Sequence, residues 1–269
     1  MTKSLALLIC DTPTSAVLSS HGDYHRIFSA LLASSLPDTS VEFTLDPYDV
    51  AKKQEYPLED KEYDAFMITG SAASAYENLE WINKLITFVA SIPDKYPKAK
   101  IFGICFGHQI VGRAFGGECV PNGGRWEVGI TEVDLTDSGR DIFGVQKLNI
   151  HQMHRDHVPA VPPGFTLLGS TQVAYNQGMV QYASDEGSHD LTDIRIITVQ
   201  GHPEFTKPIV NAIVEARSKN GVIGESVVED YRKREDWRND GVSVIGKAFW
   251  KILGVDSGEV DKARMTSKI

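Results

Sequence analysis

Apolar positions arrive along this chain in two rhythms. Short runs that are wholly or largely apolar occur at 5–10, 65–69, 99–104 and 194–199. Such runs, without polar alternation, suit strands buried on both faces of a parallel sheet. A further short strand is expected at 41–45. Between the runs the spacing changes to that of a helix. Residues 27–36 read as one helix, ending before Pro37. Residues 79–92 read as another, with Trp81, Ile82, Leu85, Ile86, Phe88 and Val89 on its apolar positions and an expected stop at Pro93. The resulting β-α-β-β-α-β-α order predicts an α/β fold with a mainly parallel central sheet.

The middle of the chain follows a different pattern. Residues 127–135 alternate, with Val128, Ile130, Val133 and Leu135 set among polar neighbours, and 165–170 and 180–183 read as further short strands. These predict a small antiparallel section appended to the parallel sheet. Residues 184–193 are polar and acidic and read as a surface loop. After the run at 194–199, helices are expected at 208–217, with Pro208 near its start, and at 226–237 and 242–253. The pattern predicts a single domain over 1–253, with C-terminal helices at 207–253 packed on it, and a polar tail at 254–269.

Composition narrows the function classes. The chain has 269 residues, 42% hydrophobic and 23% charged, as an ordinary globular enzyme has. Its formal net charge of −9, without basic blocks, argues against nucleic acid or an anionic membrane as partner. The three cysteines, Cys10, Cys105 and Cys119, form neither a disulfide framework nor a zinc spacing. They suit a reducing compartment, so a cytoplasmic location is expected. The N-terminal apolar stretch is too short to span a membrane and runs into Asp11-Thr12-Pro13.

One stretch carries candidate chemistry: Gly103-Ile104-Cys105-Phe106-Gly107-His108-Gln109. An expected strand enters it and a helix-compatible run, 109–115, leaves it. Glycines two before and two after Cys105 suit the sharp strand–turn–helix of a nucleophile elbow. There, helix-end peptide dipoles favour a thiolate. A cysteine in a glycine-rich turn is by itself more often a small buried hydrophobe. Gly201-His202-Pro203-Glu204 shifts that balance. His202 follows an expected central strand, at the same sheet edge as Cys105, and Glu204 can turn back across Pro203 to orient the imidazole. Main-chain N–H groups of Phe106 and of Gly70 or Ser71 are candidate oxyanion donors, because each follows a strand end.

Taken together, Gly-Ile-Cys-Phe-Gly-His-Gln and Gly-His-Pro-Glu resemble the class I, triad-type glutamine amidotransferases. The similarity spans roughly Tyr63 to Glu204. The resemblance implies a flavodoxin-like three-layer fold and attack of a cysteine on a γ-glutamyl amide. It implies Cys105 as nucleophile, His202 as general base and acid, Glu204 as its orienter, and Gly70 and Phe106 as the oxyanion hole. Gln109 would lie in the substrate pocket. A second correspondence is Met153-His154-Arg155-Asp156-His157-Val158, where the family usually carries Ser-His-Gly-Asp-x-Val on a loop near the glutamine carboxylate. His154, Arg155 and Asp156 are therefore expected to line the pocket, with Met153 and Arg155 as departures. His151, His154 and His157 resemble a metal cluster by count only, and neither metal nor cofactor is expected.

The family's GMP-forming members carry a second domain for ATP chemistry, and no such domain is expected here beyond the helices. Gly254-Val255-Asp256-Ser257 echoes its phosphate loop only by chance. The chain resembles the stand-alone members: plant γ-glutamyl peptidases and fungal amidotransferase-like proteins. The expected activity is hydrolysis of glutamine, a γ-glutamyl peptide or a glutathione-type substrate through a γ-glutamyl thioester. Two alternatives remain: an amidotransferase supplying ammonia to a separate synthetase partner, and a regulator that has kept the fold.

Overall fold

The protein is described here by a computed structural model covering residues 2–183 and 190–256. β1 (Thr2–Ile9) leads through α1 (Ser15–His21) and α2 (Tyr24–Ser35) to β2 (Glu42–Asp49). β3 (Ala65–Ile68), α3 (Glu80–Lys95), β4 (Lys100–Ile104) and α4 (Phe106–Ala114) follow. The middle contributes β5 (Val120–Pro121), β6 (Glu127–Leu135), α5 (Asp137–Phe143), β7 (Lys147–His154), β8 (Asp156–His157), β9 (Thr166–Ser170) and β10 (Gly178–Tyr182). β11 (Ile194–Val199), α6 (Lys207–Lys219), α7 (Glu225–Arg234) and α8 (Lys247–Ile252) complete the described chain.

Nine strands form one sheet in the order β2-β1-β3-β4-β11-β10-β9-β6-β7. The neighbours from β2 to β11 pair in parallel. From β11 outward the pairing is antiparallel. The apolar runs are unbroken because helices cover both faces of the parallel half. On β1, Leu5 and Leu7 pack with Phe28 of α2 and Trp250 of α8, whereas Ala6 and Leu8 pack with Ile82 and Leu85 of α3. β3 divides likewise, Ala65 and Met67 to one face and Phe66 and Ile68 to the other. The result is a three-layer α/β fold. A separate apolar cluster joins α6 and α7 to Val128, Met153 and Phe205.

Several elements differ from the sequence pattern. α3 continues through Pro93 to Lys95. A proline in the last turn forfeits only one intrahelical bond, and buried Ile92 and Tyr96 hold that turn in place. β2 continues through Pro47, which an edge strand tolerates because the missing N–H can face outward. α4 begins at Phe106 and not at Gln109. β7, unanticipated, carries Met153 and His154 in a strand where a loop was expected. Before α8, Gly241–Gly246 winds as a π-helix, where side chains on Gly241 and Gly246 would strike Pro203 and Ser35.

Of the acidic loop expected at 184–193, residues 184–189 lie outside the described residues, and Leu191–Asp193 forms a short 3-10 turn. Most of the tail expected at 254–269 also lies outside them, from 257 onward, and Val255 is buried. Among the described residues, no helix is long and apolar enough to cross a membrane.

The parallel order makes β3, β4 and β11 adjacent. Their carboxyl ends deliver Gly70, Cys105 and His202 to one edge of the sheet, the edge at which open α/β sheets bind ligands.

Candidate active site

Cys105 sits at the turn between β4 and α4 with φ 52° and ψ −103°. Apart from Gln54, it is the only described non-glycine residue at positive φ. That conformation is costly for an L-residue and is the kind of strain found at functional turns. The neighbouring glycines make the turn possible. A β-carbon on Gly103 would lie 2.8 Å from the carbonyl oxygen of Gly107, and one on Gly107 would lie 2.4 Å from that of Ile68. The Cys105 N–H donates to the Val199 carbonyl at 2.9 Å, tying the turn to β11.

His202 is held from three sides. Its N–H donates to the His151 carbonyl at 2.8 Å, which fastens the segment to β7. Its ring stacks on Phe205 at 4.0 Å with an interplanar angle of 2°. Its Nδ1 lies 2.8 Å from Oε1 of the buried Glu204. With Nδ1 engaged, Nε2 is the nitrogen left for chemistry. Burial pulls the His202 pKa down, but the charges of Cys105 and Glu204, with hydrogen bonds to each, outweigh it and push it up to about 10. Burial pushes the Cys119 thiol up to about 12 and the Cys10 thiol higher still.

Gly70 stands against both partners. A β-carbon there would lie 2.8 Å from His202 Cε1 and 3.7 Å from Cys105 Cβ. Phe106 is the first residue of α4, so its N–H has no acceptor within the helix.

The other expected pocket residues also converge. A cavity of about 40 Å³ is lined by Cys105, Gln109, His154, Arg155 and Asp156, together with Trp126 and Arg217. Gln109 Nε2 donates to the Asp156 carbonyl and to Gln200 Oε1, both at 3.1 Å, so its amide nitrogen braces the wall. The Asp156 carboxylate accepts from the Ser74 hydroxyl at 2.7 Å. His154 Nδ1 lies 3.0 Å from the Asp156 carbonyl, and its Nε2 lies 3.0 Å from Oε2 of the buried Glu127. Burial raises the Glu127 carboxyl, but His154, Thr171 and Gln177 outweigh it and hold it below the usual range. Arg155 is exposed.

Among the described residues no group of three or more His, Cys, Asp or Glu could hold a metal ion, the set His151, His154 and His157 included. Three neighbours of the site were not anticipated. Arg155 and Arg217 both approach the Trp126 ring, at 5.6 and 5.2 Å, and Glu127 supports His154. None carries a sequence signal: Trp126 lies just before an alternating strand that Glu127 opens, and Arg217 reads as an ordinary helix residue.

Cys105 thus stands strained at one strand end, faced by the Glu204-bound His202 from the next. The sequence signature of the family described as glutamine amidotransferase class-I matches residues 21–208, and the chain belongs to that family. A glutamine amidotransferase-like protein of Schizosaccharomyces pombe is 38% identical, over 86% of this chain and 91% of the relative. Gamma-glutamyl peptidase 5 of Arabidopsis thaliana is 30% identical, over 79% and 80%. In fold, a glutamine amidotransferase structure from Thermotoga maritima superposes with a TM-score of 0.64 over 94% of this chain and 98% of that one, at 18% identity.

Proposed function

We propose that this chain hydrolyses γ-glutamyl amide bonds through a γ-glutamyl thioester on Cys105. The observation that carries the reading is the meeting of a strained Cys105 and a Glu204-oriented His202 across the bare backbone of Gly70.

In the proposed reaction the Cys105 sulfur attacks the amide carbonyl carbon. The oxygen of the tetrahedral intermediate accepts from the N–H groups of Gly70 and Phe106. His202 Nε2 passes its proton to the leaving nitrogen as the C–N bond breaks. The neutral imidazole then takes a proton from water, which splits the thioester and releases glutamate. Glu204 holds the ring in the tautomer that keeps Nε2 pointed at the reaction. The glutamyl end lies against the wall built by Gln109, His154 and Asp156, with the exposed Arg155 guanidinium offered to its α-carboxylate. The family membership and the γ-glutamyl peptidase relative support this assignment.

The test is glutamate release by the purified chain alone from glutamine and from γ-glutamyl dipeptides. Release that is abolished by Cys105→Ala is expected. If no γ-glutamyl compound is turned over, the hydrolase reading fails, and ammonia supply to a synthetase partner becomes the reading to examine.

A further inference from the structure

Two cavities meet at this site, and the two catalytic side chains divide between them. The cavity of about 40 Å³ is lined by Cys105 and not by His202. A larger one, of about 210 Å³, is lined by His202 and not by Cys105, and reaches toward α1 and α2. Ser71, Ala72, Met153 and Arg217 line both, so the two adjoin. On the hydrolase reading, the carbonyl carbon must sit at Cys105 and the leaving nitrogen must face His202, which protonates it. Whatever the nitrogen carries then extends into the larger cavity. Glutamine releases ammonia and has nothing to place there.

The walls indicate what fits. Val17, Ile27, Phe205 and Ile213 present buried apolar surface to it. Besides His202, its two charged groups differ in availability. The Asp11 carboxylate is engaged, accepting from the N–H groups of Thr12 and Ala72, each at 2.7 Å. Arg217 makes no ion pair with any carboxylate among the described residues; its guanidinium lies 5.2 Å over the Trp126 ring. A half-buried cation gains from a partner, and a chamber with one apolar wall and one available guanidinium matches an apolar α-amino acid bearing a free carboxylate.

We propose that the larger cavity receives the amine half of the substrate, that this half is an apolar α-amino acid, and that Arg217 binds its carboxylate. The substrate class is then the γ-glutamyl dipeptides with a leucine- or phenylalanine-like second residue. The sulfur–carbon bond forms as the carbon–nitrogen bond breaks. The amino acid leaves with the His202 proton, and one water releases glutamate. This assignment rests on the hydrolase reading and specifies the other half of its substrate.

The experiment compares kcat/KM of the full chain for γ-glutamyl-leucine, γ-glutamyl-isopentylamine (the same skeleton without the carboxylate), glutathione and glutamine, read as glutamate release. γ-Glutamyl-leucine is expected to exceed each of the others at least ten-fold. Arg217→Met is expected to lower it at least ten-fold, mainly through KM, and to lower the isopentylamide much less, removing the difference between the two. Because both are measured on the same variant, general damage to the fold would lower them together. Glutamine or glutathione matching γ-glutamyl-leucine overturns the cavity assignment and leaves the hydrolase reading standing. An equal loss on all substrates in Arg217→Met overturns the role of Arg217. No glutamate from any compound overturns both readings.

Discussion

Gly70 and His202 are so close that a single added β-carbon on the glycine would stand 2.8 Å from Cε1 of the ring. The ring has little room to retreat, since Phe205 stacks on it at 4.0 Å and Glu204 holds its Nδ1 at 2.8 Å. Gly70→Ala is therefore expected to displace the imidazole. Overpacking of this kind costs about 1–3 kcal/mol of stability, so the fold should survive while kcat falls at least ten-fold. Steady-state glutamate release together with a thermal melt checks this. Wild-type kcat in a folded variant would show that His202 tolerates the shift.

Glu204→Gln keeps the volume and removes the charge. An uncharged partner neither stabilises the imidazolium nor fixes the correct tautomer. A loss in kcat of about a hundred-fold or more is expected, by analogy with amide replacement of other triad carboxylates. A single-turnover rate measured on the variant gives the answer, and a loss under three-fold would place Glu204 outside the chemistry.

The raised pKa of His202 also has a signature in stability. The ring binds its proton more tightly in the folded chain than in the unfolded one, where its pKa is about 6.5. Its contribution is therefore complete below about pH 6.5 and is lost as pH rises through about 10. Thermal melts from pH 7 to 10.5 should show a fall in wild type that is shallower in His202→Gln. In Glu204→Gln the loss should move to lower pH. Identical profiles for all three proteins would contradict the assignment.

At the acid end the sign reverses. Burial, with the nearby His154, lowers His108 to about 3, and burial, with the charge of His202, lowers His151 to about 4. Both rings bind protons more weakly folded than unfolded, so the fold loses stability as pH falls from about 6.5 toward those values. His108 Nδ1 lies 2.7 Å from Thr198 Oγ1, a contact that glutamine can keep. His108→Gln is accordingly expected to flatten the fall in melting temperature between pH 6.5 and 4; an unchanged slope would mean that other groups carry it.

The parallel half of the fold was legible because burial on both faces leaves unbroken apolar runs, as on β1 and β3. The elbow was legible because Gly103 and Gly107 are sterically compelled. β7 was not, because its second half, His151-Gln152-Met153-His154, buries polar groups that only tertiary contacts satisfy: Gln152 bonds to Gln177 at 2.8 Å and His154 meets Glu127. No local pattern announces such a strand. Arg217 was missed for a related reason. Its place beside Trp126 is set by the apolar cluster that gathers α6, α7 and the segment around Trp126 and Val128, at a sequence separation no motif spans. The three residues His202, Pro203 and Glu204 carry their geometry within themselves, and the expected contact is present at 2.8 Å.

The central claim is that Cys105 carries the glutamyl group. Acid-quenched mixtures of the purified chain and γ-glutamyl-leucine, measured as intact protein and then as peptides by mass spectrometry, test it most directly. The account predicts a mass increase of one glutamyl residue, on the Cys105 peptide alone, that disappears in Cys105→Ala together with glutamate release. An adduct on Cys10 or Cys119, or undiminished glutamate release from Cys105→Ala, would contradict it.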